Sequence, residues 1–182
     1  NEHPLLGRRL RSALPTAQFE SELDPQALHF LNDHRVQGAA ILPATGFLEL
    51  MRAAGAVVRG ASWPTIEDVT IGEPLIVPDG ETRLAQVLVE PDGAVAVHST
   101  NDESTWAMHA SARLTTASAP GDSISLSELQ QRLTEGLTAD EHYAILRAFE
   151  LDFGASLKGV RHIWRAASRG EALGEIVLPD AT

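Results

Sequence analysis

The clearest periodic stretch of the chain lies at residues 44–59. Phe47, Leu48, Leu50, Met51, Ala54, Val57 and Val58 cover most of its circumference, while Thr45, Glu49, Arg52 and Arg59 fall near one face. So narrow a polar stripe predicts a helix wrapped by other structure on most sides. Gly60 is its expected stop. Upstream, residues 8–23 alternate loosely, with β-formers among charges, and predict strands. Ala27–Leu31 is a short apolar run. Downstream, strand candidates follow one another between turns. Ile66–Val77 is punctuated by Gly72 and Pro74, and Pro78-Asp79-Gly80 is a turn. Leu84–Val89, Ala94–Ser99 and Thr105–Leu114 read as strands, the first two joined by Pro91-Asp92-Gly93 in a form suited to a hairpin. One buried helix followed by an antiparallel meander predicts an α+β unit, a curved sheet wrapped around a central helix.

Residues 115–125 are rich in Ser, Thr, Pro and Gly and read as a linker. Two short helices are expected after it. Ser125-x-x-Glu128 and Thr138-x-x-Glu141 both match the capping box, and Gly136 separates them. Strand character resumes at Val160–Arg165 and Glu175–Leu178. The expected division is therefore 1–115 for one complete unit, 116–124 for a linker and 125–182 for the opening of a second.

Composition narrows the setting. The chain has 182 residues, of which 43% are hydrophobic, enough for a real core. A formal net charge of −11 disfavours nucleic acid and anionic membrane surfaces as partners. No cysteine is present, which removes disulfides, thiolate nucleophiles and cysteine-based zinc sites. No signal peptide and no bilayer-length apolar run is seen. The opening Asn1-Glu2-His3, without methionine, reads as the start of a piece cut from a longer polypeptide.

The chemistry concentrates in Asp33-His34-Arg35-Val36-Gln37-Gly38-Ala39-Ala40-Ile41-Leu42-Pro43. Here His34-x3-Gly38-x4-Pro43 combines a titratable base, a glycine that lets backbone approach a ligand, and a proline that opens an apolar helix. Removing a proton beside a thioester carbonyl needs such parts. A base takes the proton, and donors aimed at the oxygen stabilise the enolate. Each residue alone has an ordinary explanation: a hydrogen-bonded histidine at a loop end, a turn glycine, a helix starter. The three in register favour the catalytic reading. The remaining histidines carry less. His98 and His109 lie on alternating strands and are expected at the surface or rim, and His142 and His162 lie within the second part. His29 and His34 are poorly spaced for a metal, and no metal site is expected. Glu49, on the polar stripe, is expected to be solvated or salt-bridged. Arg8, Arg9 and Arg11 are expected on a solvated strand edge. No Gly-x-Ser-x-Gly or phosphate-binding glycine loop occurs.

The stretch from Leu31 to Leu50, with Ala44-Thr45-Gly46 after the proline, closely resembles dehydratase domains of modular polyketide synthases. His3-Pro4-Leu5-Leu6-Gly7 looks like the start of such a domain, and Tyr143–Trp164 resembles the entry to its second half. The resemblance implies a double hotdog fold, with one hotdog complete here and a second begun. It implies loss of water from a β-hydroxyacyl chain held on the phosphopantetheine of an acyl carrier protein, with no cofactor in the domain itself. The implied partners are that carrier protein and neighbouring domains of the same polypeptide, in a cytoplasmic homodimeric parent. The family pairs the motif histidine with an aspartate in Asp-x3-Gln or Asp-x3-His. Only the histidine carries over, as His34, with Gly38 and Pro43 as substrate-binding positions. Asp140 is followed at the fourth position by Ala144, and Asp152 by Ser156. The fragment is therefore expected to lack the catalytic aspartate and to be inactive alone. The late motif also departs from the family: Phe153 replaces tyrosine, Ala155 proline, Leu157 phenylalanine and Lys158 glutamine. Two alternatives stand beside this reading. One is a related double hotdog that directs polyketide cyclisation, the other a non-catalytic hotdog that binds substrate or acts as a scaffold.

Overall fold

The computed structural model describes residues 3–60, 65–116 and 123–179. In chain order the elements are β1 (Arg8–Arg9), β2 (Ala17–Leu23), α1 (His29–Asn32), β3 (His34–Val36), β4 (Ala39–Ala40), α2 (Ala44–Arg59), β5 (Thr65–Ile71), β6 (Arg83–Val89), β7 (Ala94–Thr100) and β8 (Ala107–Thr115). Then follow α3 (Leu126–Arg132), β9 (Glu135–Thr138), α4 (Ala139–Ala148), β10 (Leu151–Phe153), β11 (Val160–Ala166) and β12 (Glu171–Ile176). The chain divides into two compact units, residues 1–31 with 39–118, and residues 32–38 with 119–182. The linker expected at 116–124 falls mainly on residues 117–122, outside the described residues.

In the first unit an antiparallel sheet runs β1-β2-β6-β7-β8-β5 and packs on α2 through β5, β6, β7 and β8. Period-two alternation buries one face of each strand. Phe19 and Leu23 of β2, Val87 and Val89 of β6, and Val95 and Val97 of β7 meet Phe47, Leu50, Met51 and Ala54 of the helix. The helix begins at Ala44, so Pro43 occupies the N-cap, one residue before the expected first turn, and no side chain caps it. Gly60 ends the helix in the left-handed region (φ 65°) and donates its N–H to Ala56 O at 3.0 Å. The wrap is incomplete. Val57, expected inside, is 53% exposed, while Val58 packs against the core.

One of the two histidines expected at the surface or rim of this sheet requires a correction. His109 is buried and not at the rim. Opposite β7, Val97 pairs with Ala110 and His98 with Met108, so His109 is the extra residue of a β-bulge. The bulge breaks the alternation and turns both His109 and Ala110 inward. The imidazole is then fully used: Ser99 Oγ lies 2.8 Å from Nε2, Glu73 O lies 3.3 Å from Nδ1, and the ring stacks on Phe47. His98 is half-buried, with its Nδ1 shielded from solvent. Burial, and then the nearby His109, lower its pKa.

In the second unit β9, β11 and β12 form an antiparallel sheet with β11 central. Both helix caps foreseen in the sequence are present. Thr138 and Glu141 form the full reciprocal capping box of α4, and Ser125 Oγ accepts from Glu128 N at α3. The expected glycine break at Gly136 is instead part of β9, opposite Trp164 of β11. A Cβ there would come within 3.2 Å of the His162 ring. Tyr143 of α4 accepts a hydrogen bond from Val160 N at 2.9 Å and so ties the helix to the start of β11.

Two substitutions test the core of the first unit. Phe47→Ala is expected to cost about 3–5 kcal/mol, the usual range for deleting a buried aromatic ring. Val57→Ala should stay within about 0.5 kcal/mol, as for exposed positions. Urea unfolding of the 182-residue chain measures both, and equal losses would contradict the sidedness of α2. Ser99→Ala leaves the buried His109 Nε2 without its partner and is expected to cost about 1–3 kcal/mol. A neutral result in the same assay would mean that this pair does not hold the bulge.

Candidate functional site

His34 is half-buried and opens β3, a strand of three residues and not the loop end expected. So short a strand depends on being paired, and it is the middle strand of its sheet. β10 pairs antiparallel with it, setting Phe153 opposite His34, Asp152 opposite Arg35 and Leu151 opposite Val36. The pairing lays the Phe153 ring against the imidazole, with ring centroids 5.3 Å apart and planes inclined by 27°. Offset stacking of this kind covers one side of the imidazole with apolar surface and leaves its edge open to approach. Arg35 braces the same segment. Its guanidinium donates to Gly38 O at 2.8 Å, to Asn32 O at 3.3 Å and to Asn32 Oδ1 at 3.2 Å.

The strand ends in a tight reversal at Gln37 (φ 51°) and Gly38 (φ 78°). Two successive positive φ angles are what a type I′ turn demands, and glycine meets that demand without strain. Gln37 N donates to Glu150 O at 2.8 Å. A Cβ built on Gly38 meets no atom within 4 Å. The glycine is thus required by its backbone angle, while the space beside it is open to a ligand.

Asp33, quoted in the motif but given no role by sequence, links this strand to the far side of β10. Its backbone oxygen accepts from Gly154 N at 2.8 Å and its Oδ2 accepts from Ser156 N at 2.8 Å. A Cβ at Gly154 would collide with the Asp33 carboxylate, so the glycine is needed for that approach. Asp152 lies 3.8 Å from the Arg147 guanidinium. Both carboxylates beside the histidine strand therefore have other partners.

Pro43 belongs to the first unit, where it heads α2. Glu49 of α2 accepts two hydrogen bonds from Arg52, at 2.7 and 2.6 Å, and lies 2.9 Å from His3 Nε2. The Arg52 hydrogen bonds hold its pKa below the usual carboxylate value, with His3 adding to the effect. An ionised, ion-paired Glu49 is a poor proton donor, in line with the salt-bridged role expected of it. Arg8 and Arg9 form the exposed edge strand β1, and Arg8 pairs with Glu20 at 2.8 Å. Among the described residues no group of three or more His, Asp or Glu is gathered as a metal site. None of the helices there is long and apolar enough to cross a membrane.

With this geometry in hand, comparison with known proteins is specific. The chain is 32% identical to the polyketide synthase GfsA of Streptomyces halstedii in a gapped alignment of 194 positions that takes in 98% of the chain and 2% of that protein. Mycoketide-CoA synthase of Mycobacterium tuberculosis is 29% identical and matches 98% of the chain with 4% of its own length. The chain thus spans only a few per cent of the length of either of these relatives. The dehydratase domain from the CurF module of the curacin polyketide synthase superposes with a TM-score of 0.88 at 27% identity, over 98% of this chain and 67% of that one. These neighbours are hotdog folds, as expected. Residues 3–101 match the family profile described as polyketide synthase dehydratase domain. That match takes in more than half of the chain, His34, Gly38 and Pro43 included, and the chain belongs to this family of dehydratase domains.

Proposed function

We propose that the chain carries the base of a dehydratase that removes water from a β-hydroxyacyl thioester held on the phosphopantetheine arm of an acyl carrier protein. The observation that carries this is His34, held on β3 with its ring against Phe153 and next to the open Gly38 turn. Histidine, with a reference pKa of about 6.5, is a competent base near neutrality. It takes the α-proton as the electron pair of that C–H bond becomes the Cα=Cβ bond. The β-hydroxyl leaves as water after receiving a proton. The Gly38 N–H serves as a donor to the thioester oxygen while negative charge gathers there. Elimination of water changes no oxidation state, so the domain needs no redox cofactor of its own.

The proton donor is a carboxyl group outside residues 1–182. Within them Asp33 accepts from Ser156 N, Asp152 faces Arg147 and Glu49 is ionised by Arg52. Such a donor works only if an apolar site keeps it protonated. The solved relatives support a division between two residues. Crystal structures of the CurK dehydratase carry the description inactive mutant both for a histidine-to-phenylalanine change, with a TM-score of 0.85, and for an aspartate-to-asparagine change, with a TM-score of 0.82, each at 27% identity over 98% of the chain and 65% of that one. The carrier protein and the adjacent domains of one large synthase are the partners this function requires.

Two experiments test these roles. In the polypeptide that contains this chain, His34→Ala should abolish dehydration with little change in melting temperature, because the ring is only half-buried. Gly38→Ala should lose rate too, with a stability cost of about 1–3 kcal/mol for its positive φ. Enoyl formation and thermal unfolding measure these effects, and a near-normal rate in His34→Ala overturns the assignment. The 182-residue chain alone, given a β-hydroxyacyl thioester, should turn over at least about 10²-fold more slowly than a domain holding both groups, the usual worth of one general acid. Comparable turnover would place the acid within residues 1–182.

A further inference from the structure

We propose that Asp33 is a positioning residue for His34, acting through the turn after β10 and the Phe153 ring. This rests on His34 being the base. Two hydrogen bonds of one residue converge on that turn. Asp33 O holds Gly154 N at 2.8 Å, and Asp33 Oδ2 holds Ser156 N at 2.8 Å. The absence of a side chain at Gly154 lets the carboxylate come this close. Gly154 directly follows Phe153, the residue in register with His34 and stacked on it. Fixing Gly154 and Ser156 therefore fixes where the Phe153 ring lies, and that ring limits how the imidazole can rotate.

The arrangement forms a closed loop of contacts. Asp33 precedes His34 in the chain, reaches across to residues 154 and 156, and returns through Phe153 to the ring of His34. A β-ladder of three residue pairs is too short to hold a side chain rigidly by backbone pairing alone. The carboxylate adds a charge-assisted hydrogen bond to backbone N–H at the end of that ladder. Asparagine retains an acceptor oxygen for Ser156 N, whereas alanine does not. Catalysis by a base depends on its placement, and misplacement by about 1 Å can cost about 10²-fold in rate.

The test uses spectroscopy and rate together. In the 182-residue chain with labelled histidine, Phe153→Leu removes the aromatic ring and should shift the His34 ring-proton resonances by loss of its ring current. Asp33→Ala should move those resonances most of the way to the same position, and Asp33→Asn should leave them near the wild type. Gly154→Ala, which forces the carboxylate away while keeping its charge, should reproduce the alanine shift and covers the case in which Asp33→Ala does not fold. In the polypeptide containing the chain, Asp33→Ala should lower kcat for dehydration by about 10-fold or more with KM little changed. The proposal is overturned if Phe153→Leu leaves the His34 signals in place, or if folded Asp33→Ala or Gly154→Ala does. It is also overturned if the signals move while kcat holds and His34→Ala is inactive, which leaves the dehydratase role of His34 standing. If His34→Ala itself retains the rate, the dehydratase role fails whatever the spectra show.

Discussion

The first unit depends on the burial of one helix. α2 contributes Phe47, Leu50, Met51 and Ala54 to the core, all nearly inaccessible to water. Burying each Leu- or Phe-sized side chain is worth about 1.5–3 kcal/mol, more than any surface ion pair supplies. The strands answer that demand. β2, β6, β7 and β8 each bury apolar residues on their core face, Phe19 and Leu23 in the first and Ala112 and Leu114 in the last, and their other residues are free to be polar. The Glu49–Arg52–His3 cluster sits on the side the sheet leaves open, so charge is placed where it keeps its hydration. Hydrophobic burial thus sets the architecture, and electrostatics trims its edge.

The second unit follows a different rule. Its histidine strand has no helix to wrap and little apolar surface to bury. Hydrogen bonds and one ring contact hold it: β10 alongside, Arg35 bridging Asn32 and Gly38, and Asp33 holding residues 154 and 156. A polar scaffold of this kind is directional. It fixes orientation where a hydrophobic contact would fix only proximity. That suits the role proposed for His34, which depends on which way a nitrogen points.

What could be read from the sequence follows the range of the forces. The span of α2, its end at Gly60 and the cap of α4 came from local signals, namely a 3.6-residue period, a glycine and a Thr-x-x-Glu pair. The hairpin at Pro91–Gly93 was legible for the same reason. The burial of His109 was not. A bulge adds one residue to a strand without altering the local pattern of polar and apolar types, so alternation counted across it gives the wrong face. The exposure of Val57 was hidden too, because a helix pattern shows which face is apolar but not how far the sheet reaches around it. At the site, His34, Gly38 and Pro43 were legible as a motif. The bond from Asp33 to Ser156 spans 123 positions, and no local signal announces it. The one trace in the sequence was the run Phe153-Gly154, whose glycine has a purpose only once the carboxylate opposite it is known.

The bulge at His109 has a consequence for how the sheet assembles. An ordinary antiparallel strand can slide along its neighbour, and a slip of one residue exchanges its two faces. In β8 such a slip would carry Arg113 and Ser111 toward α2 and push Leu114 and Ala112 into water. The extra residue, with its imidazole held between Ser99 and Glu73 O, fits one position along β7 and no other. It acts as a notch in the strand, so one buried histidine keeps the central sheet in a single alignment.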